Sequence, residues 1–170
     1  MSRSVNRAIV LVLASLASVS SYSVAAELGE HLRILDPLLE TDWVGKYVGP
    51  DAPDLEISLC FERILNGKAV RYFREAKGAD FSSLTHFYWS PDLGELRYLS
   101  LNNRGIVEEG VVQSGDGAVI LRGRSHWSDT TVETETTLRL ETTGVLRDTF
   151  MRKKNGEWVR GHVQEFIAKE

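Results

Sequence analysis

The chain has 170 residues, a formal net charge of −4 and no run of lysine or arginine, so it offers no basic track for a nucleic acid. Cys60 is the only cysteine, which excludes an intramolecular disulfide and leaves the core to hold by packing. The composition is that of a chain able to build a real hydrophobic core, with 42% apolar residues.

The first 26 residues read as a secretory signal peptide. MSRSVNR is basic, with Arg3 and Arg7 and no acid. AIVLVLASLASVS is apolar and short of the roughly 20 residues a membrane span needs. SYSVAA places Val24 and Ala26 at the positions read for cleavage. The expectation is an exported protein, periplasmic or secreted, whose mature chain runs from Glu27 to Glu170 as one domain with no further membrane span.

LGEHLRILDPLLE is the single helical stretch expected after that point. Leu28, Leu32, Leu35 and Leu39 form one apolar face, and Pro37 ends its regular part near Asp36. From Trp43 onward the period changes from helical to alternating. Short runs rich in Val, Ile, Thr, Phe and Tyr are separated by Gly, Asn and Asp. VGKYV, LEISLCFERI, KAVRYFRE, FSSLTHFYW, ELRYLSL, IVEEGVVQ, AVILRGRSHW, TVETETTLRLE, VLRDTFMRK and EWVRGHVQEFIA make about ten strands. Asn66-Gly67 is the strongest hairpin signal, because a two-residue type I′ turn needs positive φ twice.

No helix of ten or more residues separates the strands, so parallel βαβ units cannot form. Val132, Thr134, Thr136, Leu138 and Leu140 share a dry face, opposite Glu133, Glu135, Thr137, Arg139 and Glu141. Such alternation belongs to an antiparallel sheet. The fold expected is all-β: an antiparallel up-and-down barrel of about ten strands with one short N-terminal helix. An open sandwich is the competing architecture. A cone of the NTF2-like type would need about three helices, and the chain offers one.

Three motifs carry a resemblance. LLETDWVGKYVG has a helix leading into Trp43-x-Gly45. FYWSPDLGELRYLSLNNRGIVEEGVV carries Trp89, Pro91, Gly94, Gly105, Glu109 and Gly110. NGEWVRGHVQEFI carries Gly156 and Trp158. Together they resemble the calycin or lipocalin-like superfamily, closest to a group of small bacterial barrel proteins. Thr41 stands where the transport lipocalins have the glycine of Gly-x-Trp. The resemblance implies a barrel, and it implies binding of a small apolar or amphipathic molecule without fixing which one. The alternatives are a filled barrel with a structural or interaction role, and a small isomerase or cyclase-like enzyme.

The sequence points to no cofactor and no catalytic or metal motif. His31, His86, His126 and His162 form no close pair, and Gly-x-Ser-x-Gly is absent. Glu108 and Glu109 are strand neighbours, so only one can face inward. The last strand holds the candidate ligand site. Trp158, Arg160, His162, Gln164 and Phe166 fall on one face by alternation, opposite Val159, Gly161, Val163, Glu165 and Ile167. If the first set faces inward, Arg160, His162 and Gln164 line a polar cavity bracketed by two aromatics. If the second does, they are solvated.

Overall fold

The computed structural model describes residues 27–169. The signal-peptide segment expected at 1–26 lies outside the described residues. The helix spans Glu30–Leu38 and is followed by ten strands. These are β1 (Asp42–Tyr47), β2 (Glu56–Ile64), β3 (Ala69–Ala76), β4 (Phe81–Ser90), β5 (Glu95–Asn102), β6 (Val107–Gly115), β7 (Ala118–Trp127), β8 (Thr130–Leu140), β9 (Leu146–Lys154) and β10 (Glu157–Ala168). Each strand pairs antiparallel with the next, and β10 closes on β1, giving a complete up-and-down barrel. Closure leaves no edge strand, which rules out the open sandwich.

The helix is a 3₁₀ helix with Pro37 inside it. In that geometry residues three apart line up, so Leu32, Leu35 and Leu38 form a single buried row, with Leu28 and Leu39 buried beside it. The row lies over one end of the barrel. That end is filled by Trp43, Phe61, Val70, Phe87, Leu96, Val112, Val119, Leu138, Leu146 and Phe166, one from each strand and all buried. Trp43 Nε1 donates to the Leu38 carbonyl at 3.3 Å, meeting one of the free carbonyls at the end of the helix. His31 stacks on Trp89 with ring centroids 3.6 Å apart.

The Asn66-Gly67 hairpin forms, but not as a two-residue turn. The ladder closes at Ile64 and Ala69, so the loop has four residues, with Leu65, Asn66 and Gly67 all at positive φ. The Gly67 carbonyl accepts the Gly29 N–H at 2.9 Å. The longer turn thus anchors the segment that leads into the helix, a tertiary demand that the local signal does not contain.

Strand alternation also sorts the single residues left open by the sequence. Glu108 lines the lumen and Glu109 faces solvent. Cys60 lies on the outer face, half-buried, with its thiol pushed up by burial and then by Glu62, so it is a poor nucleophile. His86 and His126 point out of the barrel while His162 points in, so these three do not converge.

The two tryptophans at strand starts differ sharply. Trp43 is 4% exposed, whereas Trp158 is 46% exposed, with the Lys153 ammonium 6.0 Å from its ring centroid. W43A is therefore expected to cost about 3–5 kcal/mol, and W158A less than about 1 kcal/mol. Urea unfolding followed by circular dichroism measures both. Equal losses in the two variants would contradict this assignment of the core.

Candidate functional site

The lumen has two halves of different chemistry. Below, next to the helix, the fully buried inward side chains are apolar, and Arg63 at the end of β2 turns to Glu40 at 3.1 Å. Above, the inward positions become Arg74, Ser83, Thr85, Ser100, Glu108, Ser125, Thr136, Asp148 and His162. They surround a cavity of about 210 Å³. The boundary is a layer of three aromatic rings. Phe61 stacks on Tyr72 at 4.4 Å, and Phe87 lies 6.4 Å from each.

Arg74 sits above that layer and crosses the lumen. It leaves β3 and reaches β9 and β10, on the far side of the strand order. Its Nη1 donates to Asp148 Oδ2 at 3.4 Å and to Gln164 Oε1 at 3.3 Å. The Arg74 side chain is 19% exposed and that of Asp148 is 1% exposed. Phe81 flanks the guanidinium, with its ring centroid 5.4 Å from Arg74 Cζ and equally far from Arg104 Cζ at the rim. Across the cavity, Tyr98 Oη donates to Glu108 Oε1 at 2.9 Å. The room for this tyrosine comes from Gly123, where a Cβ would stand 2.4 Å from Tyr98 Oη.

Several polar atoms here have no partner among the described residues. Tyr72 Oη, Arg74 Nε, Asp148 Oδ1 and His162 Nε2 are buried and unpaired on the cavity wall, with Gln164 Nε2 and Thr134 Oγ1 close by in the same half of the lumen. Native folds leave few such groups.

The electrostatics follow from burial. Asp148 is pushed up to about 6, chiefly by desolvation, which the Arg74 charge offsets only in part. Glu108 is also raised by burial, against the hydrogen bond from Tyr98, the neighbouring Thr134 hydroxyl and the charge of Arg74. His162 is pushed down to about 3 by burial and then by Arg74, so it is a neutral imidazole. Its ring stacks on Phe150 at 5.0 Å and meets Tyr47 edge-on at 5.6 Å. For Arg74, burial opposes the charge, but Tyr72, Asp148, Tyr47 and Glu108 together outweigh it, and it remains a cation.

The residues expected on one face of the last strand divide. His162, Gln164 and Phe166 face the lumen, although Phe166 belongs to the apolar half. Trp158 and Arg160 do not join them. They pair with Lys153 and Met151 on the outer face, because the register shifts between Arg160 and His162. Gly161 is the extra residue of this β-bulge, and a Cβ there would stand 2.5 Å from the Phe150 ring. One inserted residue reverses the alternation, so both sequence readings of the strand hold, each on its own side of Gly161. Arg74 and Asp148 had no place in the sequence-based site. Their signal was a lone charge on a dry face: Val70, Tyr72, Arg74, Ala76 on β3, and Leu146, Asp148, Phe150 on β9.

A larger hollow of about 430 Å³ lies outside the barrel, between β1 and the loop that follows it, with Val44, Leu55, Val145 and Ile167 on its walls. It holds no buried charge or unpaired polar atom, and the lumen cavity is the better site. The architecture is consistent with the calycin and lipocalin fold. No known family model matches the chain, and no curated protein matches it.

Asp148 and His162 make opposite contributions to stability as pH changes. The folded-state pKa of Asp148 is raised, so its contribution is complete below about pH 4 and is lost as pH rises through about 6. That of His162 is depressed, so its contribution is complete above about 6.5 and is lost as pH falls toward about 3. Compared with wild type, D148N should gain stability as pH rises from 4 to 6. H162Q should gain as pH falls from 6.5 to 4. Each slope is bounded by about 1.4 kcal/mol per pH unit. Urea midpoints across this range measure them, and parallel profiles for all three proteins would contradict the assigned shifts.

Proposed function

We propose that the protein is exported and that the open half of its barrel binds a small polar or amphipathic molecule. The observation that carries this reading is the set of unpaired buried atoms around one cavity: Tyr72 Oη, Arg74 Nε, Asp148 Oδ1 and His162 Nε2. Each costs roughly 1–3 kcal/mol when left without a partner. A molecule that hydrogen-bonds them recovers that cost. The stretch MSRSVNRAIVLVLASLASVSSYSVAA supports export.

Size and chemistry both argue against a long acyl chain. Pockets for drug-sized ligands typically run from about 300 to 1,000 Å³, and this one is about 210 Å³. An acyl tail would need the half of the lumen that Phe61, Phe87, Leu138 and Phe166 already fill. The ligand is therefore compact and its polar groups make most of its contacts. In this reading the site takes in His162 and Gln164, which face the lumen, and leaves out Trp158 and Arg160, which face outward.

Thermal unfolding against a panel of small acids, amines, polyols and sugars tests the reading. A compound present at a hundred times its Kd stabilises by about 2.7 kcal/mol, a shift of several degrees. Ser125→Phe puts a ring into the cavity near its mouth and should remove that shift. If no compound moves the wild-type midpoint, or if Ser125→Phe responds equally, binding in the lumen is refuted and the barrel is a filled scaffold.

A further inference from the structure

The unpaired atoms of the cavity are not chemically equivalent, and their arrangement narrows the ligand class. Both hydrogen bonds that Arg74 makes among the described residues leave from Nη1. Its Nε is buried and unpaired. Nε and Nη2 form the side of a guanidinium that grips a carboxylate with two parallel hydrogen bonds. Within reach of the same guanidinium, Asp148 holds one oxygen on Nη1 and leaves the other, Oδ1, buried and without a donor. A donor fork and an orphan acceptor thus stand side by side, held together by the Arg74–Asp148 contact.

We infer that the cavity takes a small carboxylate bearing a hydrogen-bond donor on the neighbouring carbon, that is, an α-hydroxy or α-amino acid. This rests on the proposal that the lumen binds a small polar molecule. The ligand carboxylate lies along the free edge of Arg74, and its hydroxyl or ammonium donates to Asp148 Oδ1. Simpler ligands leave one half of the pair unmet. A plain carboxylate sets its charge beside Asp148 and gives Oδ1 no donor. A plain amine meets Oδ1 but leaves Arg74 Nε unpaired and brings a cation toward the guanidinium. A neutral polyol can reach both atoms but lacks the planar anion that matches the fork. Tyr72 Oη and His162 Nε2 complete the wall, each able to donate or accept. Phe150 and the aromatic layer beneath Arg74 suit a short apolar side chain, and the volume limits its length.

Isothermal titration with five probes of similar size tests this: lactate, alanine, propionate, ethylamine and glycerol. Lactate or alanine should saturate a single site, with propionate, ethylamine and glycerol at least tenfold weaker, and the better of the first two tells whether the donor is a hydroxyl or an ammonium. Arg74→Lys keeps the charge but loses the fork, and should weaken the better probe at least tenfold. Asp148→Asn should erase the preference for lactate or alanine over propionate, a change of selectivity that loss of stability cannot produce. Circular dichroism confirms that each variant is folded. Should propionate match lactate and alanine in wild type, or should glycerol or ethylamine bind best, the ligand class is wrong while binding in the lumen stands. Unchanged selectivity in folded Asp148→Asn overturns the assignment of the donor to Asp148. If none of the five binds while another compound of the thermal panel does, the class is again wrong; if nothing binds in either experiment, both readings fall.

Discussion

A guanidinium held across the lumen organises this barrel. Arg74 ties β3, through the paired residues Asp148 and Gln164, to β9 and β10, strands that are not its neighbours in the sheet. Burying a charge is costly, and the attraction of a nearby carboxylate repays it only when geometry is good and the remaining polar atoms are satisfied. Here the contacts are long and Nε is unpaired. The arrangement stands because the rest of the barrel over-determines it. The leucine row of the helix and the ten inward apolar side chains seal the far end, and the stacked rings of Phe61, Tyr72 and Phe87 form a floor beneath the guanidinium. The dry half supplies the stability that the wet half consumes.

The same division explains the positions of the other unusual residues. Gly123 leaves room for Tyr98, whose hydroxyl then holds Glu108 on the lumen side. Gly161 introduces the bulge that turns Arg160 and Trp158 outward and leaves His162 against Phe150. Without that inserted residue, Arg160 would share the lumen face with His162. It would add a second cation to a half-barrel already organised around one. Bulges re-aim side chains at the rims of barrels, and this one decides which cation the cavity contains.

The architecture was legible because it depends on period. Alternation in Ile57, Leu59 and Phe61 or in Thr134, Thr136 and Leu138 marks an inner face without any knowledge of partners, and turns every eight to twelve residues mark a meander. The same pattern favoured a closed barrel over an open sandwich, and the pairing of β10 with β1 decides between them. The site was less legible because it depends on exceptions to period. Extrapolating alternation through Gly161 put Arg160 and Trp158 with His162, since one sequence does not mark where an extra residue enters a strand. Similarly, Asn66-Gly67 signalled a hairpin but not its loop length, which the docking of Gly29 decides. Arg74 and Asp148 come from strands about seventy residues apart, and only the closed topology brings them together. Arg74 was nevertheless visible alone, as one charged residue in an otherwise dry row, and Asp148 as a charge set between Leu146 and Phe150.

That visibility has a physical basis. A barrel shaped for stability alone would fill its lumen with leucine, valine and phenylalanine, as the lower half does. Replacing a buried ion pair by well-packed apolar side chains is often neutral or stabilising by about 1–4 kcal/mol. Placing Arg74, Asp148, Glu108 and His162 in one half of a small barrel, with several of their polar atoms unpaired, works in the opposite direction. Nothing about the fold requires it, since the strands on both sides close the same ladder whether their inward residues are charged or not. Among the described residues, every buried unpaired side-chain atom but Arg63 Nε stands in this half of the lumen, away from the helix and beneath the rim formed by Phe81 and Arg104. Stability given up at one place, with complementary donors and acceptors left facing each other, is the physical mark of a binding site rather than of a core.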